Sequence, residues 1–138
     1  MAELAIGAAS ISLQIAESII KLKNFWSLVK EAPDDIAFII EELELFRDVA
    51  SDIETDLNSG DTVALAMDTR TDKKCLDFCK KAADVLHTIC KELAKELEKG
   101  KMRGGFKTAL RKETIDRLRE RLRNAQSLLL LSQQIFTQ

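Results

Sequence analysis

The chain has 138 residues and a formal net charge of −2, from 21 Lys and Arg against 23 Asp and Glu. That length makes one domain, able to bury a core of its own, and no linker divides it. One Pro, five Gly, no Tyr and long runs of Leu, Ala, Glu, Lys and Arg point to an all-helical protein. No segment alternates as a strand would, which excludes a sheet.

The first helix is expected over residues 2–31. Leu4, Ala8, Ile11, Ile15, Ile19, Leu22, Trp26 and Val29 recur at helical spacing and face a core. Glu3, Gly7, Ser10, Gln14, Glu17, Lys21 and Asn24 recur at steps of three and four, a narrow polar stripe. Ile6, Leu13 and Ile20 widen the apolar arc beyond what one core needs. As a membrane span the stretch is short: Leu4 to Ala16 is uncharged but covers only ~20 Å, against ~30 Å of hydrocarbon. Extending it to Ile20 brings in Glu17, which costs roughly 2.5–3.5 kcal/mol at the centre of a span. Insertion is therefore expected only in an assembly that turns the stripe toward water. Glu3, with no Lys or Arg beside it, argues against a secretory signal.

Pro33 disfavours helical geometry at Ala32 and so ends the first helix near Glu31. Pro33, Asp34 and Asp35 open a second helix over 33–57, because proline suits the first helical position and carboxylates the positive end of the macrodipole. Its inner face is Ile36, Ile39, Ile40, Leu43, Phe46, Ala50, Ile53 and Leu57; Glu41, Glu42, Glu44, Asp48, Asp52 and Glu54 face solvent. A short extra helix is expected over 63–67. The third helix, over 72–99, has Cys75 or Leu76, Cys79, Ala82, Ala83, Leu86, Ile89, Cys90, Leu93 and Leu97 inward and stops at Gly100. The fourth, over 106–136, turns Leu110, Ile115, Leu118, Leu122, Ala125, Leu129 and Phe136 inward, with Leu128 to Leu131 buried on several sides. Four long helices on short connections give an antiparallel four-helix bundle.

The small net charge hides an asymmetry. Residues 1–98 hold 11 Lys and Arg against 20 Asp and Glu, net −9; residues 99–138 hold 10 against 3, net +7. A basic C-terminal part can meet anionic lipid, nucleic acid or the acidic part of its own chain. Arg117, Arg119, Arg121 and Arg123 fan over several helix faces without interleaved aromatics, so pairing with the acidic second helix is favoured over nucleic acid. Three Cys without a regular framework point to reduced thiols inside a cell.

Chemistry-bearing motifs fail on spacing. Cys75, Cys79, His87 and Cys90 have the residue types of a zinc site, but on one helix Cys75 and Cys90 stand ~22 Å apart along the axis. They read as core residues, with His87 near an apolar face. The loop from Gly100 to Thr108 resembles a phosphate loop, but Phe106 separates the glycines from Lys107 and a helix precedes it where a strand is needed. No nucleophile motif is present. No catalytic, cofactor or metal site is expected, and the chain is not read as an enzyme.

The segments Met1-Ala-Glu3-Leu, Leu22-Lys-Asn-Phe-Trp26-Ser-Leu-Val-Lys30-Glu-Ala-Pro33-Asp-Asp35-Ile and Glu41-Glu-Leu43-Glu-Leu45, with the closing Leu118, Leu122, Ala125 and Leu129 spacing, carry a family likeness. Across essentially the whole chain they resemble the HeLo-like domains at the N-termini of fungal NOD-like (STAND) receptors and amyloid-controlled cell-death proteins. The resemblance implies a bundle similar to the four-helix domain of the mixed-lineage kinase-like pseudokinase of necroptosis and to plant coiled-coil domains. It further implies a regulated cell-death role: oligomerisation by induced proximity, then permeabilisation of the plasma membrane by the N-terminal helix. That role falls on Ala2, Glu3, Leu4, Ile6, Ile11, Leu13, Ile15, Glu17, Ile19 and Ile20. Candidate contacts to anionic lipid are Lys99, Lys101, Arg103, Lys107, Arg111 and Lys112, each worth ~1 kcal/mol near an anionic surface. The implied partners are further copies of the chain, anionic membrane lipids and an amyloid-signalling or NOD-like receptor regulator, with a cytoplasmic location before activation. The alternative is a homotypic interaction or adaptor module with no membrane activity.

Overall fold

A computed structural model describes residues 11–58, 68–102 and 109–136. These residues form α1 (Ile11–Trp26), α2 (Asp34–Asn58), α3 (Asp68–Met102) and α4 (Lys112–Phe136), with no strand among them. The helices pack as the expected all-α four-helix bundle. Residues 1–10 and the short helix expected over 63–67 lie outside the described residues.

Cross-helix contacts fix the topology. Lys23 pairs with Glu44 while Ile11 and Ser12 meet Glu54, so α1 and α2 run antiparallel. Arg121 meets Glu92 while Ser132 meets Cys75 and Cys79, which makes α3 and α4 antiparallel. Both α1 and α4 pack against α2 and against α3, and α2 also touches α3. The central pair α2/α3 thus carries α1 on one side and α4 on the other.

The core follows the helical period. Ile11, Ile15, Ile19, Leu22 and Trp26 of α1 are buried against Ile36, Ile39, Ile40, Leu43, Ala50 and Ile53 of α2 and the Cys75–Leu97 face of α3. Leu118, Leu122, Ala125 and Leu129 close the other side. Two small polar contacts sit inside it. The Ser132 hydroxyl donates to the Cys75 carbonyl at 2.9 Å and lies 3.3 Å from the Cys79 sulfur. The Cys90 thiol donates to the Ser18 carbonyl at 3.5 Å.

Several expectations are corrected. The first helix stops at Trp26, not near Glu31. The amides of Leu28 and Val29 bond three residues back, to Phe25 and Trp26, and Glu31 takes a φ of 55°. The chain tightens and reverses there because it must turn into α2 within a few residues of Pro33, while keeping Val29 in the core. The fourth helix starts at Lys112, leaving Ala109 to Arg111 outside it. α3 runs longer than expected, from Asp68 to Met102. Leu130 and Leu131 are exposed, since among the described residues α4 packs mainly against α2 and α3.

Two ion pairs tie α2 to its neighbours. Lys23 of α1 holds Glu44, and the Arg119 guanidinium of α4 forks onto both oxygens of Asp35 while also reaching Asp116. The basic C-terminal part does meet the acidic second helix in this way. Arg119 and Lys23 each hold the carboxyl they bond below its ordinary value. Both carboxylates stay ionised in the folded chain at a pH where the unfolded chain already takes up protons. The stability they contribute is therefore complete above the ordinary carboxylate range and is lost as pH falls through it toward the lower folded-state values. Thermal melts between about pH 5 and pH 2 should show a falling midpoint, and Arg119→Gln should flatten that fall by returning Asp35 to its ordinary value.

Candidate functional site

α1 presents three different faces. Its inner face is the core set Ile11, Ile15, Ile19, Leu22 and Trp26. Gln14, Glu17, Lys21 and Asn24 are exposed along one line, the polar stripe read from the spacing. Leu13 and Ile20 point away from the core, 55% and 51% exposed. Seven residues apart, they lie within about 20° of each other around the axis. They form a short apolar ridge on the outside of the bundle.

The structure therefore splits the ten membrane-engaging candidates. Ile11, Ile15 and Ile19 hold the bundle together, whereas Leu13, Glu17 and Ile20 are free to meet another environment. Ala2, Glu3, Leu4 and Ile6 lie outside the described residues. Of the lipid-contact candidates, Lys99, Arg111 and Lys112 are exposed; Arg103 and Lys107 lie outside the described residues, as does the side chain of Lys101.

Glu54 is the residue that sequence reading misplaced. Expected at solvent, it is 7% exposed and turns inward. Its two carboxylate oxygens accept from the backbone amides of Ile11 at 3.3 Å and Ser12 at 2.6 Å. Amides at the start of a helix lack an intrahelical acceptor. The first turn of α1 has no acidic residue of its own, so a carboxylate 42 residues further along the chain does that work. The signal was present: Glu54 follows Ala50 by four residues and so lies on the buried face of α2, where a charge needs a partner.

The cysteines are structural. All three are buried and none forms a disulfide. Burial pushes the Cys79 and Cys90 thiols up, away from the reactive thiolate form. His87 is exposed, not set against the core as expected; with Gln14, Glu17, Lys21 and Asp84 it lines a shallow cavity between α1 and α3. Among the described residues no group of His, Cys, Asp and Glu is placed to hold a metal ion. No helix among them is long and apolar enough to cross a membrane.

No family model, curated protein or solved structure matches this chain.

Glu54→Ala should destabilise the protein by roughly 2–3 kcal/mol, the scale of hydrogen bonds to a charged group, in urea unfolding followed by circular dichroism. Amide exchange should rise first in α1. Glu17→Ala removes an exposed side chain and should change stability by no more than about 0.5 kcal/mol.

Proposed function

We propose that this chain is a HeLo-like cell-death execution domain that oligomerises and permeabilises membranes through its N-terminal helix. The observation that carries the reading is the outer ridge of α1. Leu13 and Ile20 expose apolar surface that the bundle does not use, beside a polar stripe able to face a neighbour or a lumen. The four-helix architecture is the one that the resemblance implies. Exposed Lys99, Arg111 and Lys112 add cationic surface for an anionic bilayer, an attraction that salt weakens.

Deleting residues 2–20 is a poor test, because it strips Ile11, Ile15 and Ile19 from the core and unfolds the bundle along with any activity. Leu13→Asn with Ile20→Asn is cleaner. At about 1.5 kcal/mol or more per side chain, losing both should weaken partitioning into lipid on the order of 100-fold. Dye release from phosphatidylserine-containing vesicles by the clustered protein should fall accordingly, with the melting temperature unchanged. Undiminished release would remove the role assigned to this ridge.

A second reading, a homotypic interaction module without membrane activity, is favoured by a different surface. Phe38 and Leu45, seven residues apart on α2, are 61% and 74% exposed. This reading expects concentration-dependent self-association that Phe38→Ser with Leu45→Ser abolishes, and no dye release under any condition.

A further inference from the structure

We propose that the groove between α3 and α4 is a binding site for a phosphate monoester attached to a short apolar group. It deepens the anionic-lipid part of the reading above and rests on that part alone; it does not need α1 to enter a bilayer.

The groove encloses about 200 Å³. Its floor is apolar, made by Ile89, Leu93 and Leu118, all buried. Four cations stand around it: Lys95 and Lys99 from α3, Arg117 and Arg121 from α4. Each pair is four residues apart, so each projects from a single helix face. Two carboxylates share the rim and are already engaged. Glu92 lies 2.6 Å from Arg121 and Glu96 lies 3.8 Å from Lys99.

The pattern of complementarity breaks one turn further on. Where Glu92 faces Arg121 across the antiparallel pair, the groove one turn further on is lined by Lys95 of α3 and Arg117 of α4, cation with cation. Neither forms an ion pair among the described residues. Like charges set together destabilise, and also do so at i,i+4 along each helix. A bound anion would relieve that repulsion. Arg121 is held at the edge of the groove by Glu92, 2.6 Å from its Nη1.

Charge and size select the ligand. Four cations against two carboxylates leave a surplus matched by a phosphate monoester, which carries about −1.5 to −2 at neutral pH. Arginine forks suit its oxygens bidentately. The volume is below the ~300–1,000 Å³ of pockets that enclose drug-sized molecules, so it takes a headgroup and the first carbons of a chain. The Ile89, Leu93 and Leu118 floor accounts for those carbons and would be wasted on a bare polyanion. Among the described residues no aromatic side chain lines the groove to act as a platform for a nucleobase.

Such a group can come from a lipid or from a soluble metabolite, and the test separates them without membranes. The full chain is titrated by calorimetry with dioctanoyl phosphatidic acid below its micelle concentration, and separately with glycerol 3-phosphate. The phosphatidic acid should bind. Lys95→Ala with Arg117→Ala should weaken it about tenfold or more, the scale of losing charge-assisted hydrogen bonds, with a melting temperature no lower than that of the parent chain. Lys73→Ala with Lys74→Ala, an equal loss of charge elsewhere on α3, should leave binding intact. Glycerol 3-phosphate binding as tightly would overturn the apolar-group part of the proposal, since the floor would then contribute nothing. No binding of either compound, or an equal loss in the Lys73/Lys74 variant, overturns the proposal. Either of those failures leaves vesicle permeabilisation by α1 untouched, so the two readings fail separately.

Discussion

The carboxylate of Glu54 on the amides of Ile11 and Ser12 ties the start of α1 to the far end of α2. Most helix caps are local, supplied by a Ser, Thr, Asp or Asn within a residue or two of the amides they satisfy. Here a cap comes from another helix, so among the described residues the amides of Ile11 and Ser12 meet this acceptor while α1 is docked. Secondary and tertiary structure are coupled at that point. Lys23 with Glu44 repeats the connection near the other end of α1, within a turn of Trp26, but at the surface, where an ion pair is worth little. The buried contact is the one that fixes the axial position of α1 along α2.

A similar division runs through the charge distribution. The acidic first part and basic last part of the chain are joined by Arg119 on Asp35, Arg121 near Glu92 and Lys99 near Glu96, which use three of the ten cations in residues 99–138. Among the described residues, Arg111, Lys112 and Arg123 are exposed at the surface and Arg117 lines the α3/α4 groove. Internal pairing therefore explains why the two halves attract without exhausting the asymmetry. What is left over is surface potential, available to an anionic partner.

Much of this architecture was legible in the sequence, because burial on a helix follows a period of 3.6. The inward faces of all four helices were readable in that way, and so was the surplus of Leu13 and Ile20. The errors share one cause: periodicity describes a helix and not its neighbours. Leu130 and Leu131 sit in a run of four leucines and look buried from every side, yet among the described residues α4 packs mainly against α2 and α3. Glu54 looks like one more carboxylate on an acidic helix until the end of α1 is brought beside it. The stop at Trp26 was hidden because Pro33 marks where helical geometry becomes forbidden, while the turn into α2 begins earlier. The α3/α4 groove needed the pairing of two helices distant in sequence before Lys95 and Arg117 could be seen to stand together.

The energetics of α1 limit how it can act. Five large side chains, Ile11, Ile15, Ile19, Leu22 and Trp26, are buried from it. At about 1.5–3 kcal/mol each, their burial is worth roughly 8–15 kcal/mol, comparable with the whole 5–15 kcal/mol stability of an ordinary domain. Undocking α1 into water is therefore close to unfolding the protein, and a freely released helix is not an accessible intermediate. A state in which α1 leaves its seat must cover the same apolar face at the same time, in lipid or against another copy of the chain. Leu13 and Ile20 matter for that reason. They are the part of α1 that can touch a membrane or a neighbour while Ile15 and Ile19 remain in the core. Contact can thus begin before undocking, and transfer of the inner face can follow one turn at a time from the Glu54 end.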